Sequence, residues 1–337
     1  MVDYKNDIVG TKIKSVTSDP GSPSNGEIWY RSDLEELKFK AATGSGAWAT
    51  QTPISIGREG TETVGEHTSM ICFGGFDPGP EYYDANESWN GSTWAEVGDL
   101  NTARSSMKGA GTSTAAIGFA GGNPSPSVLN ESWNGTSWTE VGDLGNSTNR
   151  NTPGTCGAGT STAALITGAH SPPTLTEFWN GTSWSNGPNL ANGSAGDTCV
   201  GTTTAALAWG GSSRLASTNE YNGSSFSAGG DLNYGRGRGT GSGVQTAALA
   251  VGAGGYPAGI SSDVEQYNGT AWTTVAGLSI HSAGPPGGSA CGTTSASWGN
   301  FGNYYPSNPT LSGKMITPFA EEFLSDNGEN IIQSTEE

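Results

Sequence analysis

Trp133-Asn-Gly-Thr-Ser-Trp138 is one of five nearly identical hexapeptides in this chain, each with Asn-Gly near its centre and an aromatic residue at either end. The other four are Trp89-Asn-Gly-Ser-Thr-Trp94, Trp179-Asn-Gly-Thr-Ser-Trp184, Tyr221-Asn-Gly-Ser-Ser-Phe226 and Tyr267-Asn-Gly-Thr-Ala-Trp272. Counting a degenerate first copy that ends at Trp48, the closing aromatic residues lie 46, 44, 46, 42 and 46 residues apart. Self-similarity at a period of about 40–50 residues is typical of a propeller or a solenoid.

The hexapeptide predicts a β-hairpin, because Asn-Gly is the dipeptide that best accepts the positive φ angles of a tight turn. Two registers fit. A turn centred on the middle of the hexapeptide places Trp133 opposite Trp138, whereas a two-residue Asn-Gly turn places Trp138 opposite Glu131. In both registers the rings share one face and can fill the space between neighbouring sheets. Their recurrence in every repeat favours this packing role over a carbohydrate-binding platform.

Each repeat is predicted to hold four strands, A to D. In the repeat from Asp99 to Val141 they lie near residues 104–110, 114–120, 130–133 and 137–141. Strand B consists of Ala, Gly, Thr and a few larger apolar residues, which suits the narrow inner part of a wedge-shaped blade. A Gly-Gly pair follows it and lets the chain leave the sheet with unusual backbone angles.

The order of residues within the repeat resembles the Kelch repeat. Arg104 comes early, strand B ends in Gly121-Gly122, and Glu131-x-Trp133 and Trp138 follow. The resemblance covers roughly residues 58–302 and implies an all-β, Kelch-like β-propeller. Six B segments predict six blades, with seven as the alternative.

Ring closure is predicted to use both ends of the chain. The N-terminal stretches 36–39 and 47–50 would complete the last blade, and the strand-like stretch that begins at Gly313 can join them, since closure removes free sheet edges. The predicted division is an extended attachment arm over 1–25, a propeller over 26–312, and a C-terminal strand with an acidic tail over 313–337.

Composition limits the function. The net charge is −17, which argues against nucleic acid and against anionic membranes as partners. No apolar run approaches the roughly 20 residues that span a bilayer. The three histidines, His67, His170 and His281, occupy unrelated positions of the repeat, and no CxxC or HxxxH spacing occurs. We therefore expect no metal, no cofactor, no catalytic residue and no enzymatic activity.

The four cysteines do not form a disulfide framework in a chain of this length. Cys156, Cys199 and Cys291 stand at similar places in three repeats, and Cys72 lies within strand B of another. Equivalent positions of different blades are not expected to meet. The sequence thus predicts four buried thiols.

The B–C loops vary in length and content, and variable loops on a rigid scaffold are the usual place for recognition. On the same face, an Arg precedes strand A in four repeats, whereas the fourth repeat has no basic residue from Asn192 to Asp197. These arginines either bind a carboxylate or a sulfated glycan at the channel mouth or bridge to carbonyl groups of adjacent blades or to a neighbouring acid, and the bridging role is favoured. The candidate binding residues are Tyr82, Tyr83, Arg58, Arg104, Arg150, Arg214, Arg236, Arg238 and Tyr256.

The N-terminal region carries a second resemblance. Pro23-Ser-Asn-Gly-Glu-Ile-Trp29-Tyr30, followed by Glu36-Leu-Lys-Phe39, is similar to a hairpin near the start of bacteriophage fibre and other virion proteins. The resemblance implies a tail fibre or appendage, present in multiple copies on the virion. Its arm would bind other virion proteins, and its propeller would bind a host-surface glycan or protein. The alternatives are a head or tail decoration protein without receptor binding, and a cellular Kelch-type interaction scaffold.

Overall fold

The computed structural model describes sixteen segments of the chain. They are residues 14–18, 28–33, 36–39, 47–50, 52–58, 60–77, 81–145, 156–168, 173–192, 198–211, 215–237, 240–255, 259–275, 289–292, 296–301 and 311–316. The chain divides into two compact units, Gly46–Ile316 and a second formed by Met1–Ser45 with Thr317–Glu337. The acidic tail and most of the predicted arm lie outside the described residues.

The described part of the second unit is a three-stranded sheet. Its strands are Lys14–Val16 (β1), Ile28–Arg31 (β2) and Glu36–Phe39 (β3), in the order β1-β2-β3. β1 runs parallel to β2, and β2 pairs antiparallel with β3. The stretch 36–39 therefore pairs with the Ile-Trp-Tyr strand and does not help to complete the propeller, which corrects that prediction.

The larger unit contains five blades of four consecutive antiparallel strands, so the predicted all-β propeller is confirmed. The first blade consists of Glu62–Glu66 (β5), Ser69–Phe73 (β6), Asn86–Trp89 (β7) and Trp94–Glu96 (β8). The second consists of Lys108–Gly111 (β9), Ala116–Phe119 (β10), Asn130–Trp133 (β11) and Trp138–Val141 (β12). The third consists of Cys156–Gly159 (β13), Ala164–Thr167 (β14), Thr176–Trp179 (β15) and Trp184–Asn186 (β16). The fourth consists of Thr198–Thr202 (β17), Ala205–Trp209 (β18), Thr218–Tyr221 (β19) and Phe226–Ala228 (β20). The fifth consists of Thr240–Val244 (β21), Ala247–Gly255 (β22), Gly259–Tyr267 (β23) and Trp272–Val275 (β24).

One further four-stranded sheet is composite. It contains Ser289–Gly292 (β25), Ala296–Phe301 (β26), Leu311–Ile316 (β27) and, at its edge, Ala47–Thr50 (β4) from the N-terminal side. The expected six blades, with seven as the alternative, are therefore corrected to five blades of consecutive strands plus this composite sheet. The reason is local: the Asn-Gly hairpin that builds strands C and D occurs in full only five times.

The innermost strands form a ring. β5, β9, β13, β17 and β21 contact one another in turn, and β25 contacts both β21 and β5. Strand A of each blade therefore faces its neighbours in the next and the previous blade. This arrangement decides which residues of different repeats meet.

The aromatic hairpins have the first of the two predicted registers. Trp133 pairs directly with Trp138, and their ring centroids lie 5.5 Å apart. The side-chain oxygen of Asn134 accepts hydrogen bonds from the backbone N–H groups of Thr136 and Ser137, both at 2.9 Å. Trp133 is 2% exposed, so the recurring aromatic pair belongs to the core, as predicted.

Neighbouring blades fit together through a large residue on strand B and a small one on the next strand A. A Cβ added to Gly109 would lie 3.0 Å from Phe73, and one added to Gly157 would lie 2.6 Å from Phe119. Trp209 of the fourth blade faces Gly241 of the fifth in the same way. Glycine is needed at these positions because cores packed to this density do not accept an extra methyl group without strain.

The Gly-Gly pair after strand B makes room for the backbone of the next blade. Gly74 has a φ of 66°, and a Cβ there would lie 2.6 Å from the carbonyl oxygen of Arg104. The neighbouring Gly75 donates its N–H to the same carbonyl oxygen at 2.9 Å. In the fourth blade Gly211 donates its N–H to the Arg236 carbonyl at 3.0 Å, so in both blades the pair binds the segment that leads into the following blade.

Candidate functional site

The candidate site is the end of the propeller that carries the B–C loops and the segments leading into strand A, here called the loop face. Its described residues are 52–58, 60–61, 74–77, 81–85, 97–107, 121–129, 142–145, 168, 173–175, 187–192, 210–211, 215–217 and 229–237. The opposite end, with the A–B and C–D turns, is called the turn face. Antiparallel strands that alternate in direction place the two kinds of connection at opposite ends of each sheet.

Three of the candidate arginines are buried in ion pairs beneath the loop face. The nitrogen–oxygen distances are 2.7 Å for Arg58–Glu87, 2.8 Å for Arg104–Glu131 and 2.7 Å for Arg236–Glu265, and the side chains are at most 4% exposed. Each glutamate stands on strand C of the same repeat. These arginines are therefore bridging residues, the role that the sequence analysis favoured.

The guanidinium groups of Arg58 and Arg236 also bind backbone carbonyl groups. Arg58 Nε donates to the Gly74 carbonyl at 2.7 Å, and Arg236 Nη1 donates to the Gly252 and Asp263 carbonyls at 2.8 and 2.9 Å. Burial lowers the pKa of Arg104, and the adjacent Glu131 carboxylate opposes that effect. A buried charge that is paired and hydrogen-bonded in this way is a structural element.

Each glutamate holds the incoming chain with its second oxygen. Glu131 Oε2 accepts the N–H of Asn101 at 2.7 Å and its side-chain amide at 2.8 Å, and Glu265 Oε2 does the same for Asn233 at 2.7 and 2.8 Å. In the third blade, Glu177 Oε2 accepts the N–H of Gly145 at 2.8 Å. The recurring acids thus fasten the connection between blades.

The fourth blade omits the charge pair as a unit. Asn219 occupies the position of the strand C glutamate, and its side-chain oxygen accepts the N–H of Asn192 at 2.9 Å. The same repeat has no basic residue from Asn192 to Asp197. The acid and the base are therefore both missing from this blade. This is expected when each charge is needed to neutralise the other in a buried site.

The two candidate tyrosines of the first blade are half-buried in its B–C loop. The ring of Tyr82 stacks on Phe76 with centroids 6.1 Å apart. Tyr83 donates its hydroxyl to Asp77 Oδ2 at 3.4 Å, and its carbonyl accepts the N–H of Arg104 at 3.3 Å. Desolvation, together with the charges of Asp77 and Glu81, raises the pKa of Tyr83, so its ring stays neutral at physiological pH.

Sequence reasoning missed two exposed apolar side chains of the loop face. Tyr234 is 57% exposed and Leu215 is 38% exposed. The Leu215 carbonyl accepts the N–H of Arg236 at 3.1 Å, which places the B–C loop of the fourth blade against the segment that carries Tyr234. The sequence held a signal for Tyr234. Asn233-Tyr-Gly-Arg236 stands where the second blade has Asn101-Thr-Ala-Arg104, so an aromatic residue replaces a threonine at this position of the repeat.

The remaining candidates, Arg150, Arg214, Arg238 and Tyr256, lie outside the described residues. Within the described ranges, no group of three or more His, Cys, Asp or Glu side chains is placed to hold a metal ion. The same ranges contain no helix with the length and apolar character needed to cross a membrane.

One acidic group near the ring of inner strands is strongly perturbed. Glu62 lies at the start of β5, and burial raises its pKa to about 7, while Lys108 on β9 and a hydrogen bond with the Gly109 backbone act in the opposite direction. A Cβ on Gly109 would lie 3.0 Å from Glu62 Cγ. Because the half-buried carboxylate loses hydration there, the neutral acid persists to a higher pH than in a free glutamate.

Replacing Glu62 by glutamine is expected to flatten the pH dependence of stability. The folded protein holds the Glu62 proton more tightly than the unfolded chain, so the free energy of unfolding falls as the pH rises from 4.5 through about 7. The Glu62→Gln variant should therefore gain thermal stability relative to the wild type at pH 8 and little at pH 5. The control is Glu66→Gln, which changes an exposed acid at the end of the same strand. An equal pH response in all three proteins would contradict this assignment.

Comparison with known proteins supports the fold. No family model and no curated protein matches the chain. Among solved structures, it is similar to one described as "Structure of YjhT", with 11% sequence identity and a TM-score of 0.63, over 80% of this chain and 97% of that chain. A likeness at this identity shows the fold alone, and the fold and loop face together define a β-propeller scaffold.

Proposed function

We propose that this protein is a structural protein of a bacteriophage virion that displays a Kelch-like propeller for recognition of the host surface. The hairpin of Ile28–Arg31 and Glu36–Phe39 supports the attachment role, because it belongs to the compact unit that does not contain the blades. This is the segment with the virion-type sequence Gly26-Glu-Ile-Trp-Tyr30.

The proposed ligand is a neutral host-surface glycan at the loop face. Arg58, Arg104 and Arg236 are committed to buried glutamates, so they are not available to an acidic sugar. Tyr234 instead is exposed, and its segment is held to Leu215 by the hydrogen bond from the Arg236 N–H. An exposed aromatic face on a loop region of a rigid scaffold is suited to stack on the apolar face of a sugar ring. The exposed ring of Tyr234 is the observation that carries this proposal.

The test is glycan-array and host-cell binding by the intact protein and its variants. Tyr234→Ala and Tyr82→Ala are expected to weaken binding at least about tenfold, as for central aromatic contacts of other interfaces. Val244→Ala is the matched control, because Val244 is 54% exposed on an A–B turn at the turn face. Equal losses for Val244→Ala and Tyr234→Ala would contradict a site on the loop face.

A second measurement separates recognition from decoration. The protein inventory of purified particles should contain this chain in multiple copies, and removal of residues 1–45 should abolish its incorporation. Particles that keep the protein but bind host cells equally well with Tyr234→Ala would support a decoration role. Absence of the chain from the particle would favour a cellular interaction scaffold.

We also infer that the protein acts by binding and not by catalysis. The acids that recur in the first, second and fifth blades, Glu87, Glu131 and Glu265, are each neutralised by an arginine and hold backbone N–H groups. Acid–base catalysis requires carboxyl groups that can approach a substrate. Glycan-array ligands incubated with the protein should be recovered unchanged.

A further inference from the structure

Cys156 and Cys199 form a disulfide across the boundary between the third and fourth blades, which corrects the prediction of isolated thiols. Their Cα atoms lie 5.5 Å apart, although 43 residues separate them in sequence. Cys72 is buried and takes no part in a disulfide, as predicted, and the side chain of Cys291 lies outside the described ones.

The register of the inner strands explains why the two cysteines meet. Cys156 precedes Gly159 by three residues on β13, whereas Cys199 precedes the equivalent Gly201 by two residues on β17. They are therefore not equivalent positions of the repeat. Side chains alternate between the two faces of a strand, so a shift of one residue makes Cys156 point to the next blade and Cys199 to the previous one.

The disulfide occupies the place of an aromatic–glycine contact. Phe73, Phe119 and Trp209 each face a glycine of the following blade, but the third blade has Thr167 at this position. The smaller threonine leaves room for the Cys156–Cys199 pair. Its hydroxyl lies 2.9 Å from Cys156 Sγ, and because a disulfide sulfur carries no hydrogen, Thr167 donates this bond.

We propose that Cys156 and Cys199 form an oxidation-dependent lock between two blades. In a reducing cytosol both are thiols; outside the cytosol, exchange with a small-molecule disulfide joins them in a disulfide bond. Thiols persist in the cytosol and disulfides form in oxidising surroundings. This inference goes beyond glycan recognition and does not depend on it, since any extracellular role would expose the pair to oxidants.

The closing reaction is two thiol–disulfide exchanges. Cys199, which is 7% exposed against 4% for Cys156, attacks the small disulfide as a thiolate and expels one thiolate from it. Cys156 then attacks the Cys199 sulfur of the mixed disulfide and expels the second. The protein loses two protons and two electrons, and the small disulfide leaves as two thiols, as this chemistry requires.

Thr167 is a positioning residue for the second exchange. A hydroxyl that donates to a thiolate stabilises it and lowers the thiol pKa. Near neutral pH, each unit by which a thiol pKa falls raises the thiolate fraction about tenfold. The same change lowers the nucleophilicity of the thiolate by only about threefold, so attack becomes about threefold faster. Thr167→Val removes the donor with little change in volume, and Thr167→Ser retains it.

The test follows the redox state of each cysteine by mass spectrometry. Full-length protein made in a reducing cytosol and acid-quenched at lysis should react with iodoacetamide at Cys156 and Cys199 once it is unfolded in urea at alkaline pH. After incubation with oxidised glutathione, both should resist labelling in urea, and the protein should lose the mass of two hydrogens. Thr167→Val should close more slowly than the wild type, and Thr167→Ser at the wild-type rate.

Three outcomes would overturn the proposal. These are thiols that persist in oxidised glutathione, a disulfide already complete in the reducing cytosol, and a linkage to Cys72 or Cys291.

Hydrogen exchange of the wild-type protein gives a readout without any variant. Reduction should speed exchange of Cys156–Gly159 and Thr198–Thr202 at least about tenfold, with Glu62–Glu66 unchanged.

Discussion

Replacing Glu131 by glutamine is expected to lower the free energy of unfolding by about 3–5 kcal/mol, which is the usual cost of removing one partner from a buried ion pair. The substitution leaves the guanidinium of Arg104, 1% exposed, without its counter-charge. It also weakens the bonds through which Glu131 Oε2 holds Asn101. Urea denaturation followed by tryptophan fluorescence measures the change.

The control and the companion variant come from the chain itself. Glu140→Gln changes an exposed acid on the outer strand of the same blade, and such surface changes are usually within about 0.5 kcal/mol. The fourth blade suggests the companion, since it has Asn219 on strand C and no basic residue from Asn192 to Asp197, the segment that leads into its strand A. The double variant Arg104→Gln with Glu131→Asn should therefore lose less than the two single variants together, because no charge is left unpaired.

A loss below about 1 kcal/mol for Glu131→Gln would contradict the structural role of the pair, since that is the range of exposed ion pairs. Arg104 would then be a candidate ligand-binding residue again. The same measurement on Glu87→Gln and Glu265→Gln tests whether the role repeats around the ring. The outcome therefore decides between architecture and recognition for the whole arginine set.

Features encoded within a few residues were predictable from the sequence. The Asn134-Gly135 turn and its flanking tryptophans specify a hairpin through local backbone preferences, and its repetition specifies the propeller. The blade count was less accessible, because the composite sheet has no such hairpin. The pairing of 311–316 with 47–50 agrees with the predicted closure, because that prediction rested on the removal of free sheet edges. Only the stretch 36–39 was wrongly assigned to this sheet.

The site was partly predictable. Arg104 is unavailable to a ligand because it pairs with Glu131, which lies 27 residues away in the sequence. The sequence favoured a bridging role for the arginine but did not identify this partner. The fourth repeat held a stronger signal, since its acid and its base are missing together. Tyr234 was missed because it lies in the segment before strand A, whereas the variable B–C loops were the expected place for recognition. The cysteine error came from treating Cys156 and Cys199 as equivalent, when a shift of one residue turns them toward each other.

The double variant Cys156→Ala with Cys199→Ala is expected to lose about 4 kcal/mol of stability relative to the oxidised wild type. The disulfide spans 43 residues, and the loop-closure entropy that such a link removes from the unfolded chain corresponds to this value. Thermal unfolding with and without a reductant measures it. The wild type should lose stability on reduction, and the double variant should not respond.

A triple variant tests whether packing can replace the covalent link. Cys156→Thr, Thr167→Phe and Cys199→Gly together copy the arrangement of Thr198, Trp209 and Gly241 at the next boundary. The added ring fills the space that the sulfur atoms leave, and filling such space typically recovers a few kcal/mol. The triple variant should therefore be more stable than the double variant and insensitive to reductant. If it is less stable, the boundary between the third and fourth blades has a geometry of its own, and the disulfide is required there because an aromatic ring does not fit.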